Sequence, residues 1–133
     1  QMNLTTRRRT ELQLDEMLKD KEIQFKSFRM SDKLGDMGII GIYAIKYKKK
    51  ELEVLDFILS CRAFGRQIEN YMIYKIIEAA KKIKLKKIIF KYLKTNKNKP
   101  CLTFLKSLQL QKKGVNTFIY DKGININKPK HLN

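Results

Sequence analysis

The chain has one histidine, two cysteines and only six arginines, and each scarcity closes off a chemistry. His131 lies in a polar tail, where a side chain is more often mobile than catalytic, so no histidine is at hand as a general base. Cys61 and Cys101 are too few for a disulfide framework or a tetrahedral zinc set, and no metal is expected. Long apolar runs are missing too. GIIGIYAI (38–45) is far too short to cross a bilayer, and RRR at 7–9 runs into acidic residues where a secretory signal would turn apolar. A cytoplasmic protein without membrane contact is the expectation. Acidic residues are outnumbered 13 to 30, and the formal charge of +17 invites a polyanionic partner. The shortage of arginine discounts that reading, because the 24 lysines come with 16 isoleucines and 8 asparagines, a set that an AT-rich genome enriches by itself.

What is present is material for one core: 133 residues, 43% of them hydrophobic, suit a single domain over 1–133. Thr10-Glu-Leu-Gln13 has the form of a capping box, and with Leu14, Met17 and Leu18 after it predicts a short helix over about 10–20. EIQFKSFRM (22–30) puts Ile23 and Phe25 on one face and Phe28 and Met30 on the other, as a strand with a bulge would. The stretch DKLGDMG (32–38) reads as a turn. GIIGIYAIKY (38–47) and LEVLDFILS (52–60) are apolar on both faces, as central strands are, with KKKE as the hairpin connection. From Gln67 to about Leu85 the period becomes helical, with Ile68, Met72, Ile76, Ala79, Ala80 and Ile83 on one face and Asn70, Lys75, Glu78 and Lys82 away from it. A strand over 86–94, a polar loop over 95–100, a short helix over 101–108 opened by Pro100, and a strand over 116–123 complete the order. Antiparallel strands followed by a strand–helix–strand crossover predict an α/β fold, a mixed and mostly antiparallel central sheet flanked by helices.

The chemistry concentrates at the junction LSCRAFGRQIE (59–69), where a two-faced strand meets the long helix. A helix start presents unpaired N–H groups and a partial positive charge, and Arg62 and Arg66 flank Gly65, which lets a backbone approach closely. Such a junction can hold a pyrophosphate. A glycine serving its turn between two solvated arginines explains the same letters. Asp56, inside LEVLDFILS, is a candidate base if its carboxylate sits on a covered face, although an ion pair or an exposed edge accounts for it equally.

Order and motif together resemble the GNAT acyltransferase superfamily, in which a strand ends in an Arg/Gln-x-x-Gly-x-Gly/Ala loop that opens a helix and binds the pyrophosphate of coenzyme A. Arg62, Gly65 and Gln67 stand at the matching places, Gln67 where the pattern has a small residue. A closer resemblance covers about the first 110 residues. NLTTRRRTELQL, FRMSDKLGDMGIIGI and LDFILSCRAFGRQIENYMI are similar to the C-terminal domain of FkbH-like proteins, which follows an N-terminal HAD-type phosphatase-like domain. The resemblance implies a domain fragment of a longer protein that moves an acyl unit, such as glyceryl, from a thioester to an acyl carrier protein.

Further roles follow from that resemblance. Cys61 becomes a candidate nucleophile holding an acyl group as a thioester, its thiol activated by Arg62, Arg66 and the helix start; a small buried apolar residue is the plain alternative. Arg62, Gly65, Arg66, Gln67 and Asn96 become the contacts to coenzyme A or a phosphopantetheine arm. Asp36, in the turn with Asp32, Gly35 and Gly38, becomes a group that orients the acceptor, unless it only makes local turn hydrogen bonds. The tyrosine that many GNAT enzymes carry on the late helix, to protonate the leaving thiolate, is Leu105 here. KKIKLKKIIFKYLKTNKNK (81–99) interleaves cations with Phe90 and Tyr92; as helix, strand and loop its aromatics are core and its lysines a rim that would steer an acidic carrier protein. Non-catalytic docking of a carrier protein or coenzyme A, and nucleic-acid binding, are the two rival functions.

Overall fold

The computed structural model describes residues 2–3, 10–60, 63, 67–85, 87–91, 99–108, 110–113 and 117–120. In chain order the elements are β1 (Met2–Asn3), α1 (Glu11–Lys19), β2 (Ile23–Asp32), β3 (Gly35–Tyr47), β4 (Leu52–Leu59) and α2 (Ile68–Lys82), then β5 (Ile88–Lys91), α3 (Lys99–Ser107), β6 (Gln111–Lys113) and β7 (Thr117–Tyr120). The capping box forms as the sequence predicts: the Gln13 N–H donates to Thr10 Oγ1 (3.1 Å) and the Thr10 N–H to Gln13 Oε1 (2.9 Å), which satisfies two amides at the start of α1. Only Met17 of α1 is buried, and Leu18 stays 68% exposed.

The sheet runs β2-β3-β4-β5-β7-β6, with β1 laid against β4. All neighbours pair antiparallel except β4 and β5, which pair parallel over Leu52–Val54 and Ile88–Phe90. The expected slip in β2 is present as register shifts between Phe28 and Ser31. The expected turn over 32–38 is much tighter: only Lys33 and Leu34 leave the ladder, and Gly35 to Gly38 already belong to β3. Asp36 makes this possible, since its carboxylate accepts from the Gly38 N–H (2.7 Å) while Gly38 takes a φ of 74°, which a side chain would resist. The two shortest strands, β1 and β6, have no counterpart in the sequence reading.

Residues opposite each other on antiparallel strands share a face, so Gln24, Lys26 and Phe28 lie with Ile45, Tyr43 and Gly41. That is the face α2 covers: a Cβ on Gly41 would stand 2.7 Å from Met72 Sδ, so α2 approaches β3 as closely as a glycine allows. Ile68, Met72, Ile73, Ile76, Ile77 and Ala80 fill the space between, and Phe28 packs against Tyr43 and edge-on to Tyr71. From α3, Phe104 stacks on Phe57 with ring centroids 6.2 Å apart, and Leu105 is fully buried in the same core.

Candidate functional site

The strand-to-helix junction is the point where sheet, bulge and helix head meet. At the end of β4 the Ser60 N–H donates to the Ile40 carbonyl (2.8 Å) and the Ala63 N–H to the Ser60 carbonyl (3.0 Å), so the chain turns at once and buries the Ala63 methyl. Of the residues that the sequence singles out here, Cys61, Arg62, Gly65 and Arg66 lie outside the described residues, as does Asn96.

Gln67 is described, and it is the N-cap of α2 with a left-handed φ of 65°. For a residue with a Cβ this costs about 1–2 kcal/mol. Its side chain is exposed and makes no capping hydrogen bond. The amides of the first turn of α2 therefore receive no acceptor from their N-cap side chain, and the helix dipole adds positive potential at the same point. A phosphate fits such a terminus.

Asp56 lies 9% exposed just past a bulge in β4. Val54 pairs with Ile45 and Asp56 with the adjacent Ala44, so Leu55 is the extra residue. Beyond the bulge Phe57 and Leu59 pair with Tyr43 and Gly41, which puts them on the α2 face and turns Asp56 to the other. The structure thus separates Asp56 from the head of α2 by the thickness of the sheet. Asp36 sits at the tip of the β2–β3 hairpin, five residues or roughly 17 Å of strand beyond Gly41. Its carboxylate accepts from the Gly38 N–H and, at 3.0 Å, from Arg29 Nη2, and these bonds, Gly38 first, hold it below the usual carboxylate range. The group expected to orient an acceptor is engaged within its own hairpin.

Glu69 was not singled out. It stands on the second residue of α2, 7% exposed, and its Oε2 is buried without a hydrogen-bond partner. Its negative charge suits the helix start, but it also competes with any anion bound there. The sign of it is in the sequence: Glu69 precedes Ile73 by four residues and Ile76 by seven, so it belongs to the buried stripe. Among the described residues no three His, Cys, Asp or Glu side chains gather as a metal site.

The edge of β4 that faces β5 changes partners along its length. Among the described residues the β5 register covers Leu52–Val54 and the β1 register Ile58 and Leu59, and the strand runs on toward the head of α2. The arrangement is a strand edge, paired with β1 at Ile58 and Leu59, that ends near a positive helix terminus.

No protein-family model and no curated protein matches the sequence. Solved structures do match it in fold. The PaiA N-acetyltransferase of Thermoplasma acidophilum, in complex with coenzyme A, superposes with a TM-score of 0.60 at 14% identity, over 75% of this chain and 61% of that one. The chain thus spans less than two thirds of the Thermoplasma enzyme. The ribosomal-protein-S18-alanine N-acetyltransferase of Escherichia coli gives 0.64 at 7% identity over 96% and 83%. A protein of the GNAT acetyltransferase family from Desulfovibrio desulfuricans gives 0.62 at 11% over 80% and 74%. The fold is that of the GNAT N-acetyltransferases.

Proposed function

We propose that the chain is an acyltransferase domain that takes a thioester, on coenzyme A or on the phosphopantetheine of a carrier protein, along β4 and against the head of α2. One observation supports this most: α2 starts within ten residues of the end of β4, at an N-cap whose side chain does not cap it. The same fold holds coenzyme A in the Thermoplasma enzyme. A bound thioester supplies an activated acyl carbon. The amides of residues 68–70 hold the anionic end, Arg62 and Arg66 add charge beside it, and Cys61 is the nucleophile of the chain. An acyl carrier protein is the proposed acceptor, because such proteins are acidic and a +17 surface speeds their encounter. The FkbH-like resemblance adds an N-terminal HAD-type domain as the neighbour in the longer protein.

Leu105 favours a second reading, docking without catalysis. Where many GNAT enzymes carry a tyrosine, this side chain is 0% exposed and apolar, so the late helix offers no proton there. Two measurements separate the readings. Coenzyme A at about a hundred times its Kd is expected to stabilise the protein by about 2.7 kcal/mol. Incubation with an acyl-CoA should then add an acyl mass to the wild type and none to Cys61→Ala. Stabilisation without an adduct selects docking. If neither coenzyme A nor a holo carrier protein stabilises the fold, both readings fall.

A further inference from the structure

A second concavity lies at the opposite end of α2, where the last turns of the helix stand over β2 and β3. Lys82 is fourteen residues beyond Ile68, about 21 Å along the helix from its head. The cavity measures about 280 Å³. Its walls are rich in hydrogen-bond donors. Lys26 comes from β2, Tyr43 and Tyr47 from β3, and Lys75 and Lys82 from α2, with Ala79 and Ile83 as the apolar part of the lining. Three ammonium groups meet one carboxylate, that of Glu78, which Lys75 holds at 3.2 Å. Glu78 also feels Lys82 one helical turn on, and the lining as a whole keeps a net charge of +2.

Tyr43 is the less ordinary member. The residue is 2% exposed, its ring packs on Phe28, and it lines the cavity. A phenol at a cavity wall offers its O–H as a donor to what the cavity holds. Burial first, then the neighbouring Tyr47 and Glu78, pushes its ionisation up to about 12, so at neutral pH it is a donor. The Tyr47 hydroxyl donates to Gln24 Oε1 at 2.6 Å, which leaves the Gln24 amide nitrogen as one more donor at the rim. A helix C-terminus would ordinarily repel an anion, but the Ala80 and Lys81 carbonyls already accept from the Leu85 and Lys84 amides, at 3.0 and 3.1 Å.

We propose that this cavity binds a small phosphomonoester, with its dianionic head held by Lys26, Lys82 and the Tyr43 hydroxyl. The charge of such a group, −1.5 to −2 near pH 7, matches the net charge of the lining, and its three oxygens on one centre suit donors converging from three elements. The cavity falls just below the usual range for ligand sites, which restricts the ligand to a few carbons and excludes a whole coenzyme. The site is separate from the thioester site and does not depend on it.

Calorimetric titration with ribose 5-phosphate tests the assignment, at fixed ionic strength and beside ribose, succinate and sulfate. Saturable binding of ribose 5-phosphate is expected, with no binding of ribose. Tyr43→Phe, which keeps the ring, should weaken it about 5-fold, and Lys26→Gln with Lys82→Gln by about 10-fold or more. Melting curves of both variants without ligand should stay near the wild type, which ties the losses to the site. Absence of saturable binding, equal binding of succinate or sulfate, or unchanged affinity in both variants overturns the proposal.

Discussion

At the scale of single residues, Gln67 carries the clearest cost. The GNAT loop pattern that the sequence resembles has a small residue there, and the φ of 65° gives a reason for one in this chain: the backbone turns left-handed to start α2, where glycine is free of strain. Gln67→Gly should stabilise the protein by about 1 kcal/mol, less what glycine loses in the unfolded chain, and raise the melting temperature by about 3 °C. Gln67→Ala should bring no such gain, and thermal melts of the two variants check the difference. The departure at position 67 was legible in the letters, but the conformation behind it was not. Glu69 was legible by spacing and unread, because a charged residue in the first turn of a helix has an ordinary explanation in the dipole. The Tyr43 site could not be read at all, since it needs three elements brought together.

At the scale of elements, whatever has a period or a cap shows in the sequence. The helix of α1 starts at its capping box, and α2 buries Ile68, Met72, Ile76 and Ala80 of the stripe that its spacing predicts; Ala79 is only partly covered, Ile83 is the exposed C-cap, and Ile73 and Ile77 are buried in addition. Strands of two and three residues have no period to find, and β1 and β6 are set by the backbone they meet. The hairpin turn over 32–38 was overestimated because two glycines and two aspartates are turn letters. Here they serve inside the strand, as Gly38 and Asp36 show. Glu53 gives the element scale its prediction. It lies in β4 between Lys48 (3.1 Å) and Lys91 of β5 (3.2 Å), tying a hairpin to the strand across the parallel pair. Burial alone would raise its ionisation, but the bonds to Lys48 and Lys91 together outweigh it and hold the carboxyl below its ordinary value. A group depressed in the folded state stabilises above its unfolded pKa and loses that contribution as pH falls through the folded one. Glu53→Gln should therefore cost about 1 kcal/mol at pH 7, since both lysines are partly solvated, and the gap to the wild type should close below pH 4. Urea unfolding at pH 7 and pH 3.5 measures it.

At the scale of the molecule, no helix among the described residues is long and apolar enough to cross a membrane. The expected mixed sheet is present, and the β4–α2–β5 crossover that the sequence ordering predicted is the one parallel step among the described residues. That step joins two antiparallel leaves, β2-β3-β4 and β5-β7-β6, through three residue pairs among the described residues. The first leaf is built from consecutive hairpins, whose loops are short to close, whereas the second must wait for the whole segment from Ser60 to Lys87. Folding should start in the first leaf and spread across the seam. Native-state hydrogen exchange in low urea is expected to show Ile88–Lys91 and Thr117–Tyr120 opening together, below the energy that releases Tyr43–Ile45 and Asp56–Phe57. A single opening energy for both groups would mean that three parallel pairs suffice to make the sheet one cooperative unit. If they open apart, the seam is a natural breakpoint, and the second leaf can come away while the first remains folded.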